Sequence, residues 1–290
     1  MITIFTPTYN RCDLLMKLYE SIKNQTVKDI EWIIVDDGSS DDTPNIIDNL
    51  IKEENEFEIK YFYKENHGRH TAINRGVEEA SGEYFMLVDS DDFLPSNAVE
   101  NILKMFKKIE GKENFAGVAG LKAYPNNVII GKTFDEEYVE CTSLEREKNN
   151  IYGDRAEVFY LDTLKKFPFP VFEGENYLAE SLVWYRIANA GYKIHWENVI
   201  VYYADYLEGG LSRTTGKCLK NFQGFKLMVK EALTYREISL VEKIKLQIVC
   251  GGLALIKKEK IKDVAKYLGV CAFKLRIYAI IGFLAKKIRG

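Results

Sequence analysis

Apolar and polar positions in the N-terminal part of the chain alternate between two spacings. Four short apolar runs, ITIFT, EWIIVDD, IKYFYK and EYFMLVD, have the composition of buried strands. Between them, apolar residues recur at helical spacing in a stretch that ends near Asn24, in TPNIIDNLIKEE and in HTAINRGVEEA. The resulting order, βαβαβαβ, predicts an α/β fold with a mostly parallel sheet flanked by helices.

Residues that favour helix starts agree with this order. Asn10 is placed to cap the first helix, and Thr43 followed by Pro44 marks the start of the second. Pro95 precedes an apolar-periodic run that predicts a fourth helix over 96–109. The first 110 residues therefore read as strands and helices in strict alternation.

The second half of the chain is less regular. FAGVAGLKAY, RAEVFYL and VIVYYADY read as strands, and LAESLVWYRIANAGYKI as a helix that ends near Gly191. The pattern becomes helical throughout after residue 216. We therefore predict an α/β domain over 1–215, with halves of about 1–110 and 111–215, followed by a helical C-terminal extension over 216–290.

Composition adds the class of protein. The 290 residues are 47% hydrophobic, which is enough to bury a substantial core. The five cysteines are odd in number and lack a CxxC pair, which favours neither a disulfide framework nor a zinc site. MITIFTPTYNR does not have the pattern of a signal peptide, so we expect a cytoplasmic protein with reduced thiols.

Charge is distributed unevenly. Residues 240–290 carry twelve Lys or Arg against three Asp or Glu, whereas residues 1–239 carry 28 against 40. The basic segment lacks a nucleic-acid motif and is rich in aliphatic residues, which favours contact with an anionic membrane surface, on the inner face of the cell membrane, over nucleic acid. Lys266, Lys274 and Arg276 interrupt it too often for a transmembrane helix. The alternative is packing against the first domain or against a second subunit of a homodimer.

Three predicted strand ends carry polar clusters, TPTYNR, DDGSSDDT and DSDD. Ligands of open parallel sheets bind at the carboxyl ends of the strands, so we expect these clusters to face one another. Asp89 and Asp91 are two positions apart and project to the same side of an extended chain. Their hard oxygens suit Mg²⁺ or Mn²⁺ carrying phosphate oxygens, although they would equally cap the turn before the next helix.

The other two clusters have both functional and structural interpretations. Asp36 and Asp37 end a buried strand, where a carboxylate would accept a nucleobase N–H or simply form the turn. Tyr9 would stack on a base or pack against the fold. Arg69 and His70 lie at a loop-to-helix junction suited to a nucleotide phosphate.

Taken in order, TPTYNR, VDDGSSDDT, ENHGRHTAINRGVEEASGEYFMLVDSDD and AESLVWYR resemble glycosyltransferase family 2, whose fold is the Rossmann-like GT-A fold. The resemblance covers roughly residues 1–215. It implies a nucleotide-binding half over 1–110 and an acceptor half over 111–215. It also implies that Asp89 and Asp91 contact the ribose and a Mn²⁺ or Mg²⁺ ion, with Asp91 as the direct metal ligand and Asp92 orienting its neighbours. The remaining donor-binding residues that it implies are Pro7, Thr8, Tyr9, Arg11, Asp37 and Arg69, with Asn74 and Gly76 structural.

The resemblance further implies an inverting transfer that needs a general base. The family's Glu-Asp pair is replaced here by Ala179 and Glu180, which points to Glu180, with Glu173 and Glu175 as runners-up and a solvated surface Glu as the alternative. Trp184 would line the acceptor site or pack. Ser212 and Arg213 in EGGLSRTT would close onto the diphosphate.

The function that follows is transfer of a sugar from a nucleotide-diphospho-sugar, with UDP favoured, to a glycan or lipid-linked glycan in surface polysaccharide synthesis. Two alternatives stay open. A sugar nucleotidyltransferase or dinucleotide enzyme is disfavoured because the first strand is followed by neither GxGxxG nor a Gly-rich basic loop. A noncatalytic membrane-associated scaffold of the same fold is the other.

Overall fold

The computed structural model describes residues 1–54, 56–204 and 216–289. The chain forms two compact units, one of Met1–Phe169 with Val183–Gly210 and one of Pro170–Leu182 with Leu211–Gly290. The sequence pattern predicts a domain boundary near residue 216. The structure differs in that it groups Pro170–Leu182 with the C-terminal helices. The side-chain oxygen of Asn221 accepts the backbone N–H groups of Asn176 and Tyr177, which fixes this loop within the second unit.

The first unit is built on an eight-stranded sheet, counted over the described residues, with the order β3-β2-β1-β4-β7-β5-β8-β6. The strands are β1 Ile2–Thr8, β2 Ile30–Asp36, β3 Glu58–Tyr63, β4 Tyr84–Leu87, β5 Phe115–Ala123, β6 Tyr138–Cys141, β7 Arg155–Tyr160 and β8 Lys193–Tyr203. The first four are mutually parallel, β7 and β6 run antiparallel to their neighbours, and β5 and β8 are parallel to each other. The predicted mostly parallel α/β sheet is confirmed.

Helices cover the sheet and continue through the second unit. They are α1 Cys12–Lys23, α2 Thr43–Glu53, α3 Arg69–Glu79, α4 Ala98–Ile109, α5 Leu161–Lys166, α6 Ser181–Asn189, α7 Lys217–Lys220, α8 Phe222–Ala232, α9 Leu240–Ile256, α10 Ile261–Leu268 and α11 Ala272–Arg289. The apolar residues of α1 recur at helical spacing and are buried on one face, as an amphipathic helix requires. Strands β1 and β2 are buried along their whole length, as expected of a parallel sheet covered on both faces.

The order of the strands defines a switch point, and we call the region beyond it the crevice. Strand β1 lies between β2 and β4, so the chain leaves β1 towards one side of the sheet and later returns on the other. Such a switch point is where ligands of open α/β sheets bind, beyond the carboxyl ends of the strands. Strands β1, β2, β3 and β4 are parallel, so the loops that follow them all start at these carboxyl ends.

Among the described residues, no single helix is long and apolar enough to cross a membrane. The pair Ile261–Leu268 and Ala272–Ala285, bent by 115°, satisfies the length and composition criteria together.

At the opposite ends of the parallel strands β1 to β4, a buried carboxylate accepts hydrogen bonds from several neighbouring segments. Glu31 is fully buried at the start of β2 and accepts hydrogen bonds from the Thr3 hydroxyl, the Lys60 ammonium and the backbone N–H groups of Ser81 and Gly82. Burial raises the pKa of the Glu31 carboxyl, but the bonds from Lys60, Thr3 and Ser81 outweigh it and lower the pKa from 4.5 to about 2. The ionised form therefore stabilises the fold.

Replacing Glu31 with Gln is expected to lower the free energy of unfolding by about 3 kcal/mol at neutral pH, because it removes a satisfied buried charge. The folded pKa is depressed, so the difference between the wild type and Glu31→Gln is complete above pH 4.5 and disappears as the pH falls towards 2. Urea unfolding at several pH values measures it. Glu58→Gln is the control, since Glu58 contacts the same Lys60 from an exposed position.

Candidate active site

The loops after β1 and β2 are joined by polar contacts. The backbone N–H of Asn10 donates to the Ser39 hydroxyl at 2.8 Å, and the Asn10 side-chain oxygen accepts the Ser40 backbone N–H at 2.8 Å. The expectation that Asn10 caps α1 is therefore wrong, because its side-chain oxygen is used across the crevice and Arg11 occupies the cap position. The predicted convergence of these two loops is confirmed.

Asp36 and Asp37, at the end of β2, organise the neighbouring backbone. Asp36 is fully buried and accepts the Ser39 N–H and the Tyr61 hydroxyl, both at 2.8 Å. Asp37 forms an ion pair with Lys64 and accepts the backbone N–H groups of His67 at 3.0 Å and Gly68 at 2.8 Å. The Asp37 carboxylate thus holds the loop between β3 and α3 in place, and its contact with a nucleobase stays a prediction.

Gly68 is required where it stands. Its φ of 91° lies in the left-handed region, and it immediately precedes α3. This conformation brings its N–H to Asp37 and starts the helix at Arg69.

Asp89 and Asp91, just beyond β4, each face an arginine from another part of the chain. An Nη atom of Arg69 lies 2.5 Å from an Oδ of Asp89, and an Nη atom of Arg11 lies 2.5 Å from an Oδ of Asp91. The Asp89 and Asp91 side chains are 33% and 19% exposed, so both carboxylates can be reached from solvent. We refer to these four residues as the carboxylate–arginine cluster. It brings together four of the predicted site residues.

Tyr202 supports the cluster from below and was not predicted from the sequence. Its fully buried hydroxyl donates to Asp92 at 2.6 Å and accepts the backbone N–H of Asp89 at 3.1 Å. Burial raises the Tyr202 pKa well above its ordinary value, and the nearby Asp89 and Asp92 raise it further, so the hydroxyl stays protonated. This bond anchors Asp92 to β8, and the expected role of Asp92 in orienting Asp89 and Asp91 stays a prediction. The only sequence signal for Tyr202 was its place in the apolar strand VIVYYADY.

The carboxylate oxygens of the cluster suit a hard divalent cation, and they fill only part of its coordination sphere. Within the described part of the chain, no group of three or more His, Cys, Asp or Glu side chains is placed to hold a metal. Asp89 and Asp91 supply accessible oxygen ligands of the kind that Mn²⁺ and Mg²⁺ prefer. Two carboxylates leave coordination positions for phosphate oxygens and water. The residues therefore fit a metal bound together with a diphosphate.

The other predicted donor-side residues surround the same crevice. Pro7 and Thr8 are buried at the end of β1, and Tyr9 beyond them is 49% exposed. Among the described residues, the buried Thr8 hydroxyl has no hydrogen-bond partner, although buried polar atoms nearly always have one. His70 is buried, and burial lowers its pKa, so Arg69 rather than His70 is the cation at the start of α3.

Asn74 and Gly76 are structural, as expected. The Asn74 amide exchanges two hydrogen bonds of 2.8 Å with the backbone of Phe169. A side chain at Gly76 would overlap the Phe5 ring, since an added Cβ would lie 2.2 Å from it. Trp184 is half-buried and its ring packs 4.4 Å from that of Phe159, which satisfies the packing interpretation and leaves an acceptor contact as a prediction.

The predicted base and its runners-up lie in the second unit. Glu180 is half-buried and immediately precedes α6. Glu175 accepts the backbone N–H groups of Gln223 at 2.6 Å and Gly224 at 2.8 Å, so its carboxylate caps the start of α8. Glu173 is exposed. Ser212 and Arg213 lie outside the described residues.

The eight-stranded sheet flanked by helices has the architecture of the GT-A class. Residues 3–126 match the family model described as Glycosyl transferase family 2. This part of the chain therefore has the sequence of a family 2 glycosyltransferase domain.

Known relatives agree with this assignment. The chain is 32% identical over 192 residues to the GalNAc(5)-diNAcBac-PP-undecaprenol beta-1,3-glucosyltransferase of Campylobacter jejuni, covering 64% of this chain and 59% of that protein. It is 29% identical over 169 residues to the glycosyltransferase GlyG of Streptococcus pneumoniae, covering 57% and 56% respectively. The chain thus spans less than two thirds of the length of these curated relatives.

Solved structures share the fold at low sequence identity. S. aureus TarS 1-349 in complex with UDP-GlcNAc superposes with a TM-score of 0.67 at 19% identity, over 97% of this chain and 89% of that one. The mannosyltransferase PcManGT of Pyrobaculum calidifontis, in complex with GDP-Man and Mn²⁺, gives 0.58 at 18% identity, over 100% and 75%.

Replacing Tyr202 with Phe is expected to lower the free energy of unfolding by about 2 kcal/mol, because the buried Asp92 carboxylate loses a hydrogen-bond donor. Tyr203→Phe is the matched control, since the Tyr203 hydroxyl donates to Asn127 at an exposed site, and its effect should stay within about 0.5 kcal/mol. Denaturant titration compares the two variants. Equal stability of both variants would contradict the role given to Tyr202.

Proposed function

We propose that this protein transfers a sugar from a nucleotide-diphospho-sugar to an acceptor hydroxyl, with inversion at the anomeric carbon. The observation that carries the proposal is the carboxylate–arginine cluster at the switch point of the sheet. It offers two anionic oxygen donors for a cation and two guanidinium groups for a diphosphate within one accessible crevice. The match of residues 3–126 to the Glycosyl transferase family 2 model supports the same chemistry.

The charged groups of the cluster would bind different parts of the nucleotide-diphospho-sugar. Arg11 and Arg69 are planar, permanently cationic donors that suit phosphate oxygens. Asp91, together with Asp89, would hold Mn²⁺ or Mg²⁺, and Asp89 would also accept a ribose hydroxyl. When bound there, the metal supplies positive charge that stabilises the diphosphate as a leaving group. Tyr202 and Asp92 keep the end of β4 in place while these contacts form.

The nucleoside contacts the outer part of the crevice. Thr8 has a buried hydroxyl with unused hydrogen-bonding capacity, and Tyr9 offers an exposed ring for stacking on a base. We favour a UDP-sugar as donor, in line with the UDP-GlcNAc in the TarS complex; the GDP-Man in the PcManGT complex makes a guanosine nucleotide the alternative.

We propose that the acceptor is a glycan or a lipid-linked glycan and that Glu180 removes the proton from its attacking hydroxyl. The C. jejuni relative is a GalNAc(5)-diNAcBac-PP-undecaprenol beta-1,3-glucosyltransferase, and its name supports a lipid-linked acceptor here. The role of Glu180 rests on its position in AESLVWYR. Glu175 is less suited, because its carboxylate already accepts two backbone N–H groups.

Identification of the released nucleotide tests the reaction class. Incubation with a panel of nucleotide-sugars, Mn²⁺ or Mg²⁺ and glycan acceptors is expected to release a nucleoside diphosphate together with a glycosylated product. A parallel incubation with a nucleoside triphosphate and a sugar 1-phosphate tests the alternative, because a sugar nucleotidyltransferase would join the two and release pyrophosphate. Donor binding without turnover across the panel would identify a noncatalytic protein of the same fold.

Glu180→Gln is expected to reduce kcat by about 10²- to 10⁴-fold, because the amide cannot accept the acceptor proton. The Kd of the donor should remain within about twofold, since the general base does not bind the nucleotide. Steady-state kinetics and donor titration separate these effects. Glu173→Gln is the matched control on the same loop; loss of kcat in Glu173→Gln with full activity in Glu180→Gln would move the base to Glu173.

A further inference from the structure

The last helix exposes apolar side chains on one face. Their positions follow the spacing i, i+4, i+7, i+8 and i+11, which places them on one side of an α-helix. Their exposed fractions lie between 45% and 71%, although side chains of this kind are normally buried. This surface, which we call the outer stripe, consists of Phe273, Ile277, Ile280, Ile281 and Leu284.

The outer stripe is not the face by which α11 packs on its own unit. The opposite face carries Leu275 and Ala279, both fully buried. Helices α9 and α11 approach so closely there that a Cβ added at Gly252 would lie 2.6 Å from the backbone of Gly282, and one added at Gly282 would lie 2.1 Å from the carbonyl oxygen of Ile248. Packing therefore uses small residues and leaves the bulky apolar side chains outside.

Positive charge borders the outer stripe on both sides. Arg276 lies three residues after Phe273 and four before Ile280, and Lys274 lies three before Ile277. Both side chains are exposed. The segment 240–290 that contains them carries twelve Lys or Arg against three Asp or Glu. An exposed apolar face with basic side chains along its borders is complementary to an anionic lipid surface.

We propose that the outer stripe of α11 docks onto an anionic phospholipid bilayer, with the helix lying in the plane of the membrane. The apolar side chains enter the boundary between headgroups and acyl chains, and Lys274 and Arg276 extend to the lipid phosphates. This docking is independent of the transfer reaction proposed above and goes beyond it. It would hold the protein at the surface where a lipid-linked acceptor resides.

Binding to vesicles tests the docking with the full chain. Vesicles of phosphatidylcholine alone are compared with vesicles in which about one third of the lipid is phosphatidylglycerol, by co-sedimentation at low and high salt. The wild type is expected to bind the anionic vesicles, to bind them less at high salt and to leave the neutral vesicles largely unbound. Circular dichroism and thermal unfolding verify that each variant is folded.

Two double variants separate the charged and apolar contributions. Lys274→Glu with Arg276→Glu is expected to weaken partitioning by more than about tenfold, and Ile277→Ser with Ile280→Ser by about tenfold. The matched controls make the same changes at exposed positions of the first unit, Lys52→Glu with Lys107→Glu and Ile51→Ser with Val128→Ser. The controls should bind anionic vesicles within about threefold of the wild type.

A tryptophan placed at the start of the outer stripe reports insertion of the stripe into the bilayer. Phe273→Trp is expected to show a blue shift of its emission with anionic vesicles and quenching by brominated acyl chains. The proposal is overturned if the wild type does not bind anionic vesicles, or if the controls weaken binding as much as the stripe variants. It is also overturned if the serine variants leave vesicle binding intact and instead convert a dimer into a monomer in analytical ultracentrifugation, which would assign the stripe to a second copy of the chain.

Discussion

Repulsion between carboxylates at the end of β4 is the constraint around which the first unit is arranged. Asp89, Asp91 and Asp92 follow a short buried strand, where like charges so close together oppose folding unless each has a partner. Each partner comes from a different part of the chain: Arg11 from the loop after β1, Arg69 from the start of α3 and Tyr202 from β8. The sheet order that places β1 and β4 side by side makes the first two of these contacts possible.

The same partners suit the proposed chemistry. A guanidinium group that faces a carboxylate can also face a phosphate, and a carboxylate has several lone pairs with which to bind both an arginine and a cation. A donor that carries a metal and a diphosphate brings both charges at once. The cluster therefore needs a redistribution of ionic contacts, rather than new charges, to receive it. Buried contacts behind the cluster keep the strands in register. They are the Tyr202–Asp92 hydrogen bond and, at the opposite ends of the strands, the hydrogen bonds of Glu31.

Features encoded by local patterns were predictable from the sequence. The strand and helix alternation, the parallel sheet and the convergence of three polar loops follow from spacing and topology alone.

The features that were missed depend on residues far apart in the chain. Tyr202 lies 110 positions from Asp92, and nothing near Tyr202 distinguishes it from a core tyrosine. Asn10 has the sequence context of a helix cap, but its side-chain oxygen is used by Ser40, 30 positions away. Strand β6 is short, and its pairing with β8 is likewise nonlocal. The grouping of Pro170–Leu182 with the C-terminal helices arises from side chains such as Asn221 that no local pattern reveals.

The most direct test of the account is the linkage between metal and nucleotide at the cluster, measured by calorimetric titration of UDP with Mn²⁺ and with a chelator. When one ligand changes the affinity for another, the second changes the affinity for the first by the same factor, commonly about 5- to 150-fold. Mn²⁺ is expected to tighten UDP binding to the wild type within this range, and Asp91→Asn is expected to abolish the tightening while retaining the metal-independent binding. An Asp91→Asn variant with the same dependence on Mn²⁺ as the wild type would contradict it.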